Sequence, residues 1–235
     1  MFKDLDKKAW IFIFIILLLG IFVRIYGYQD VGYWGDDMTT LPTGLLYFYP
    51  HTLFPGLLGQ GEPILGNIII ASGCRLSGED FSGVIEMQKA PMFYPGREIL
   101  IGPALAKSDL YCHAPMYIGG ILALLIISLL AILLLNKYAA IYSIIFFSFS
   151  PVLLKFSTWI HVDIFSYVFV WTGLIFLWLF YKDESKKIWR EVLFFCLASL
   201  FFAFGFMTKL PNLIFVIFAF WIFWFFILFK KVGYI

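Results

Sequence analysis

"MYIGGILALLIISLLAILLL", Met116 to Leu135, runs for 20 residues without a charge. A helix rising about 1.5 Å per residue carries such a run across about 30 Å, the thickness of one hydrocarbon core. Comparable apolar runs lie on both sides of it, at about 9–28, 138–154, 159–181, 191–206 and 210–229. The chain as a whole is 62% hydrophobic and only 14% charged, against about 25% charged in a soluble domain. These runs predict an all-α, polytopic membrane bundle of about six transmembrane helices in one domain covering 1–235. A net charge of +2 without a basic stripe argues against nucleic acid as a partner.

Between the first two runs the character changes. Residues 29–115 hold eight of the ten prolines and nine of the fifteen acidic residues. Helix-breaking prolines and unpaired carboxylates are costly in hydrocarbon, so this stretch is read as one large loop outside the bilayer. Within it, "EPILGNIIIASGC" (62–74) is too short to cross and fits a helix lying along the interface. The first run is interrupted by Arg24, which is expected to reach outward to the interface. "RIYGYQD" offers no small-residue cleavage site, so this span is read as uncleaved.

Ten of the seventeen basic residues, from Lys3, Lys7 and Lys8 through Lys137 and Lys182 to Lys230 and Lys231, fall on one side of a six-span arrangement. The positive-inside rule makes that side cytoplasmic and the 29–115 loop, with four basic residues, extracytoplasmic. The protein is thus expected in a cell membrane with its N-terminus inside. No CxxC pair is present, so a zinc or redox site is not indicated. Cys74 and Cys112 share the outer loop and would pair there if it faces an oxidising compartment, but free thiols are the plainer expectation.

The topology brings ionisable groups from distant segments to one outer layer. Asp36 and Asp37 follow the first span, Glu62 opens the interfacial stretch, and Arg24 ends the first span. Asp163 sits ~6 Å into the fourth span, where a carboxylate needs a partner or a function. Lys209 lies in the short turn between the fifth and sixth spans. Each has a plainer reading, as solvated loop aspartates or a snorkelling lysine. His161 is two positions from Asp163, about 200° around a helix, so the two are not expected to share a ligand.

In this arrangement "VRIYGYQDVGYWGDDMTTLPTGLLYFYP" (23–50) resembles the opening of the GT-C glycosyltransferases. It is most similar to the protein O-mannosyltransferase and lipid A aminoarabinose transferase group (glycosyltransferase family 39-like). There an Arg near the end of the first span precedes a Trp-x-Asp-Glu signature; here Trp34, Asp36 and Asp37 stand in it, with Asp for Glu. "GEPILGNIIIASG" (61–73) looks like the family's Pro-Pro-Leu segment, although Glu62-Pro63 stands where members have a Lys or His before two prolines. "FSPVLLKFSTWIHVDIFSYVF" (149–169) and "FGFMTKLPNLIF" (204–215) resemble two later segments in the same order, and 75–112 fits poorly. Members have many more spans, so the resemblance implies an N-terminal portion of such an enzyme.

The resemblance implies hexosyl or pentosyl transfer from a polyprenyl- or dolichyl-phosphate sugar to a protein or glycolipid acceptor outside the cytoplasm. An acceptor hydroxyl needs a base, and general-base help contributes roughly 10²–10⁴-fold. Asp36 is the expected base, with Asp37 orienting it. In the alternative, Asp36 and Asp163 hold a divalent cation, Mg or Mn, since hard cations prefer oxygen ligands. The leaving phosphate needs positive charge, for which Lys209 is the first candidate and Arg24 the second. Glu62 and His161 complete the expected substrate contacts. The rival is a non-catalytic membrane subunit on the same scaffold or a truncated fragment without activity of its own, and a downstream membrane chain is a further expected partner in either case.

Overall fold

The structure, a computed structural model, describes residues 6–26, 37–48, 64–81, 109–183, 187–209, 217 and 221. Among these residues every regular element is a helix. Their order is α1 (Lys7–Tyr26), α2 (Asp37–Leu45), a 3₁₀ turn (Leu46–Phe48), α3 (Ile64–Leu76), α4 (Asp109–Leu134), α5 (Lys137–Phe149), α6 (Pro151–Thr158), α7 (Asp163–Lys182) and α8 (Ile188–Thr208). α1, α4, α7 and α8 are long and apolar enough to cross a membrane. α5 and α6 reach that length only as a pair, bent by 48°. Such a set is consistent with a multi-pass membrane protein. The expected sixth span at 210–229 lies almost wholly outside the described residues.

Local sequence explains where these helices stop and turn. Asp6 caps α1, its carboxylate accepting from the Ala9 N–H at 2.7 Å, and Asn136 caps α5 through the Ala139 N–H at 3.0 Å. Each satisfies a backbone donor that a helix start leaves open. Pro151 has no N–H and cannot continue α5, but it suits the first position of α6. The expected outer turn "SPVLLKFST" is therefore largely a short helix, and the apolar run over 138–154 is broken within it.

α4 starts at Asp109, ahead of the apolar run, and so takes in Pro115 and part of the expected loop. A proline inside a helix leaves the carbonyl four residues earlier without its usual donor, here that of Tyr111. α3 packs on this spot through Gly73. A methyl group there would collide with the Tyr111 carbonyl oxygen and come to 2.6 Å from Pro115 Cδ. Cys74, next in α3, is disulfide-bonded to Cys112 of α4. The bond corrects the plainer expectation of free thiols at these two positions, and the exposed Cys196 is free.

Contacts fix which helix ends share a layer. Asp6 and Lys137 pair at 2.9 Å, joining the start of α1 to the start of α5. Gly119 of α4 lies against Ile164 and Phe165 at the start of α7, and the two helices pack on each other. Asp183 and Arg190, 3.5 Å apart, close the turn between α7 and α8 at the same end as Lys137. The described basic residues Lys7, Lys8, Lys137, Lys182, Lys187 and Arg190 therefore gather at one end, as the charge pattern predicts.

At the other end lie the start of α4, the turn into α7 and the end of α8. α3, 13 residues long and too short to cross, covers this end. Its Gly66 sits against Val162, where a methyl group would come within 2.6 Å of the valine. α2 packs in turn on α3, with Gly44 over Asn67 and Ala71. The main core follows the same route, joining Leu41, Leu45, Ile70, Phe81, Met116, Ile160 and Ile164.

Candidate functional site

The α7–α8 pair decides the centre of this end. α7 opens with Asp163, and an acidic residue in the first turn is favoured by the positive end of the helix dipole. α8 closes at Thr208, two residues before Leu210, whose successor Pro211 disfavours helix. Lys209 thus follows the negative end of α8. Because the two helices pack side by side as neighbours joined by a short turn, these termini coincide, and Lys209 Nζ donates to Asp163 Oδ1. Asp163 is 8% exposed, so its carboxylate is largely shielded, while the Lys209 side chain is 34% exposed.

The second carboxylate oxygen is also occupied. His161 Nδ1 lies 3.0 Å from Asp163 Oδ2. This corrects the expectation that the two diverge. The 200° separation applies within a helix, but residues 159–162 form the turn between α6 and α7 and Asp163 is the first helical residue. The backbone leaves the helical path at Trp159 and re-enters it at Val162, and this turn brings the imidazole back onto the carboxylate. The Phe156 ring of α6 stands 5.9 Å from the imidazole. One helical turn below Asp163, Tyr167 contacts the same Phe156 and stacks on Trp171 at 5.2 Å. Residues 163, 167 and 171 share one stripe of α7, a spacing visible in the sequence and not singled out there.

Arg24 is the clearest departure. It does not reach outward: at 1% exposed it is the largest fully buried side chain among the described residues. Nη1 donates to the Gly20 and Ser148 carbonyls at 2.9 and 3.0 Å, and Nη2 to the Phe147 carbonyl at 3.2 Å. The carbonyls of Phe147 and Ser148 belong to the last turn of α5, where no further helix supplies donors and Pro151 supplies none. A guanidinium is suited to this because its planar fork serves several acceptors at once. Gly20 permits the approach of α1, since a methyl group there would come to 3.0 Å from Ser148 Cβ. Arg24 pins α1 to the bend between α5 and α6.

The structure thus brings Asp163, Lys209 and His161 together, while Arg24 serves the α5–α6 bend. Asp37 is the first residue of α2, on the same end of the bundle by way of α3. Asp36 and Glu62 lie outside the described residues. A divalent cation on Asp163 would have to displace Lys209 from Oδ1 and compete with His161 at Oδ2. Among the described residues no group of three His, Cys, Asp or Glu is suitably clustered for a metal. Asp36, the other residue expected to hold such a cation, is not among the described residues. Comparison with protein-family models, with curated proteins and with solved structures finds no match.

Proposed function

We propose that the chain is a membrane glycosyltransferase of GT-C type, moving a sugar from a polyprenyl-phosphate donor to an acceptor hydroxyl. The observation that carries this reading is the Lys209–Asp163–His161 cluster at the helix ends, under a cover formed by α3 and α2. A lipid-linked sugar phosphate has a polar head and an apolar tail, so its reacting centre belongs at such a boundary. Lys209 has three donor hydrogens and spends one on Asp163; the others are available to the departing phosphate. Asp36 and Asp37 are assigned to the acceptor side of the reaction.

The same reading puts this end outside the cytoplasm. Two features support it: the basic residues collect at the opposite end, and the Cys74–Cys112 disulfide belongs in an oxidising compartment. The six-span arrangement, with 210–229 as the last span, is part of the proposal.

A second reading, a non-catalytic membrane subunit, is favoured by one fact. An ion pair joining two helix ends is also what a purely structural clamp looks like. The test uses the full chain in lipid nanodiscs, with and without a downstream partner chain, supplied with a radiolabelled polyprenyl-phosphate sugar and a hydroxyl-bearing acceptor. Transfer that disappears in Lys209→Met supports the enzyme. No transfer under either condition, with the chain folded, supports the clamp.

A further inference from the structure

Tyr167 stands one turn into α7 from Asp163, half-buried, and its ring is held from two sides. The Trp171 ring lies nearly parallel to it at 5.2 Å, and the Phe156 ring meets it at a steep angle at 6.4 Å. A helical side chain leans toward the start of its helix, so the phenol reaches back over the turn that carries Asp163. Its oxygen there lies in the field of both the Asp163 carboxylate and the Lys209 ammonium. The carboxylate bonds Lys209 and His161 and not the phenol, and no described residue takes up the Tyr167 hydroxyl.

The polar capacity of this stripe of α7 is thus spent at Asp163 and unspent at Tyr167. A phenol O–H beside an ammonium with hydrogens to spare suits an anion, because hydrogen bonds to charged acceptors are the strong ones. From this geometry we infer that the Tyr167 hydroxyl holds the phosphate of the lipid-linked donor on its membrane side, next to Lys209. The inference rests on the glycosyl-transfer reading and adds to it a second phosphate contact and the direction of the lipid tail.

Lys209 follows the end of α8 at the level where α7 begins, and Tyr167 is rooted ~6 Å further along α7. A phosphate between them meets a charge on the side of the sugar and a neutral donor on the side of the tail. A neutral O–H suits the deeper place, since a second ammonium there would be costly in hydrocarbon. One more turn along, the half-buried Trp171 ring offers a flat apolar surface to the first carbons of the tail. Phe156 and Trp171 keep the phenol from turning away, so the donor hydrogen is oriented before the phosphate arrives.

The test measures binding first and transfer second, on the full chain in nanodiscs. The probes are polyprenyl phosphate and the uncharged polyprenol of the same length. Tyr167→Phe keeps the ring and its stacking and removes only an oxygen that no described residue holds, so unfolding is expected to be unchanged. Its dissociation constant for polyprenyl phosphate is expected to rise about 10–100-fold, the range for a hydrogen bond to a charged group. Polyprenol binding should stay within about twofold. In transfer, donor KM should rise by the same factor with kcat kept, because the contact is made before and during the reaction. Equal phosphate binding by the two chains, or an equal loss for phosphate and alcohol, overturns this inference alone. Phosphate-selective binding that depends on Tyr167, with no sugar transfer by the wild type, upholds the phosphate contact and overturns the glycosyl-transfer reading. A wild type that does not prefer the phosphate to the alcohol overturns both.

Discussion

Breaking the Cys74–Cys112 bond should cost this protein a large share of its stability, and equally from either side. The bond closes a loop of 38 residues between α3 and α4. In the chain-entropy model such a loop restricts the unfolded chain by about 13 cal/mol/K, or about 4 kcal/mol at room temperature. That figure is an upper value here, because an unfolded chain held at a bilayer is already confined. Cys74→Ser, Cys112→Ser and the double variant should lose the same amount within about 0.5 kcal/mol, since each abolishes one bond. Equilibrium unfolding in mixed micelles reads the loss. A maleimide–polymer tag, added after SDS denaturation of protein taken directly from cells, reads the bond itself. One of the three cysteines should be tagged without reductant and all three with it. Three tagged thiols before reduction would refute both the bond in the cell and the argument that this end faces an oxidising compartment.

Four further outcomes test individual contacts. Asp163→Asn and Lys209→Met should each destabilise by about 1–3 kcal/mol, between the values for exposed and fully buried pairs. Their double variant should lose clearly less than the sum, and strict additivity in the unfolding cycle would count against the pair. Gly73→Ala should cost about 1–3 kcal/mol, because the added methyl meets Pro115 Cδ at 2.6 Å and the Tyr111 carbonyl; a neutral effect on unfolding would mean that α3 is not held there. Arg24→Lys should lower stability while leaving donor KM unchanged, as a cap on the Ser148 and Phe147 carbonyls requires; a raised KM with normal stability would restore it to the phosphate. The Asp6 carboxyl is held below its ordinary value by the Ala9 N–H and then by Lys137. Its contribution is therefore present above about pH 4 and lost as the pH falls through the lower folded value, and Asp6→Asn should remove that acid dependence from a melting series.

Hydropathy made the long helices legible because in lipid a backbone must satisfy its own hydrogen bonds, and a run of 20 apolar residues has few other ways to do so. The charge pattern made the two ends legible for a similar reason: Lys7, Lys8, Lys137 and Lys182 end up together because none of them belongs in hydrocarbon. The meeting of Asp163 with Lys209 followed from the same topology. What failed depended on where a helix begins. His161 was judged by helical periodicity, and the helix starts two residues later. Pro115 was assigned to the loop, and α4 includes it because α3 covers the affected carbonyl. Arg24 was given the usual behaviour of a charged side chain near a membrane boundary. Besides the Gly20 carbonyl of its own helix, its partners are main-chain carbonyls of a helix more than 120 residues away, and no local pattern announces such a contact.

The distribution of polar groups bears on whether the α7–α8 contact is more than a clamp. At the basic end, the exposed Asp6 meets the half-buried Lys137, and the pair simply joins two helix starts. A clamp of that kind needs one cation and one oxygen. At the other end the lysine alone would satisfy that need, yet His161 uses the second oxygen of the same buried carboxylate. Desolvating a third polar group has a cost that the helix junction does not require. The turn carrying His161 is itself placed by Gly66 of α3 against Val162, and α3 is tied to α4 by the disulfide. A substitution in α3 that lifts it from Val162 should therefore disturb the imidazole before it disturbs the ion pair, and the ¹⁵N signal of His161 should move while the Asp163–Lys209 coupling energy stays.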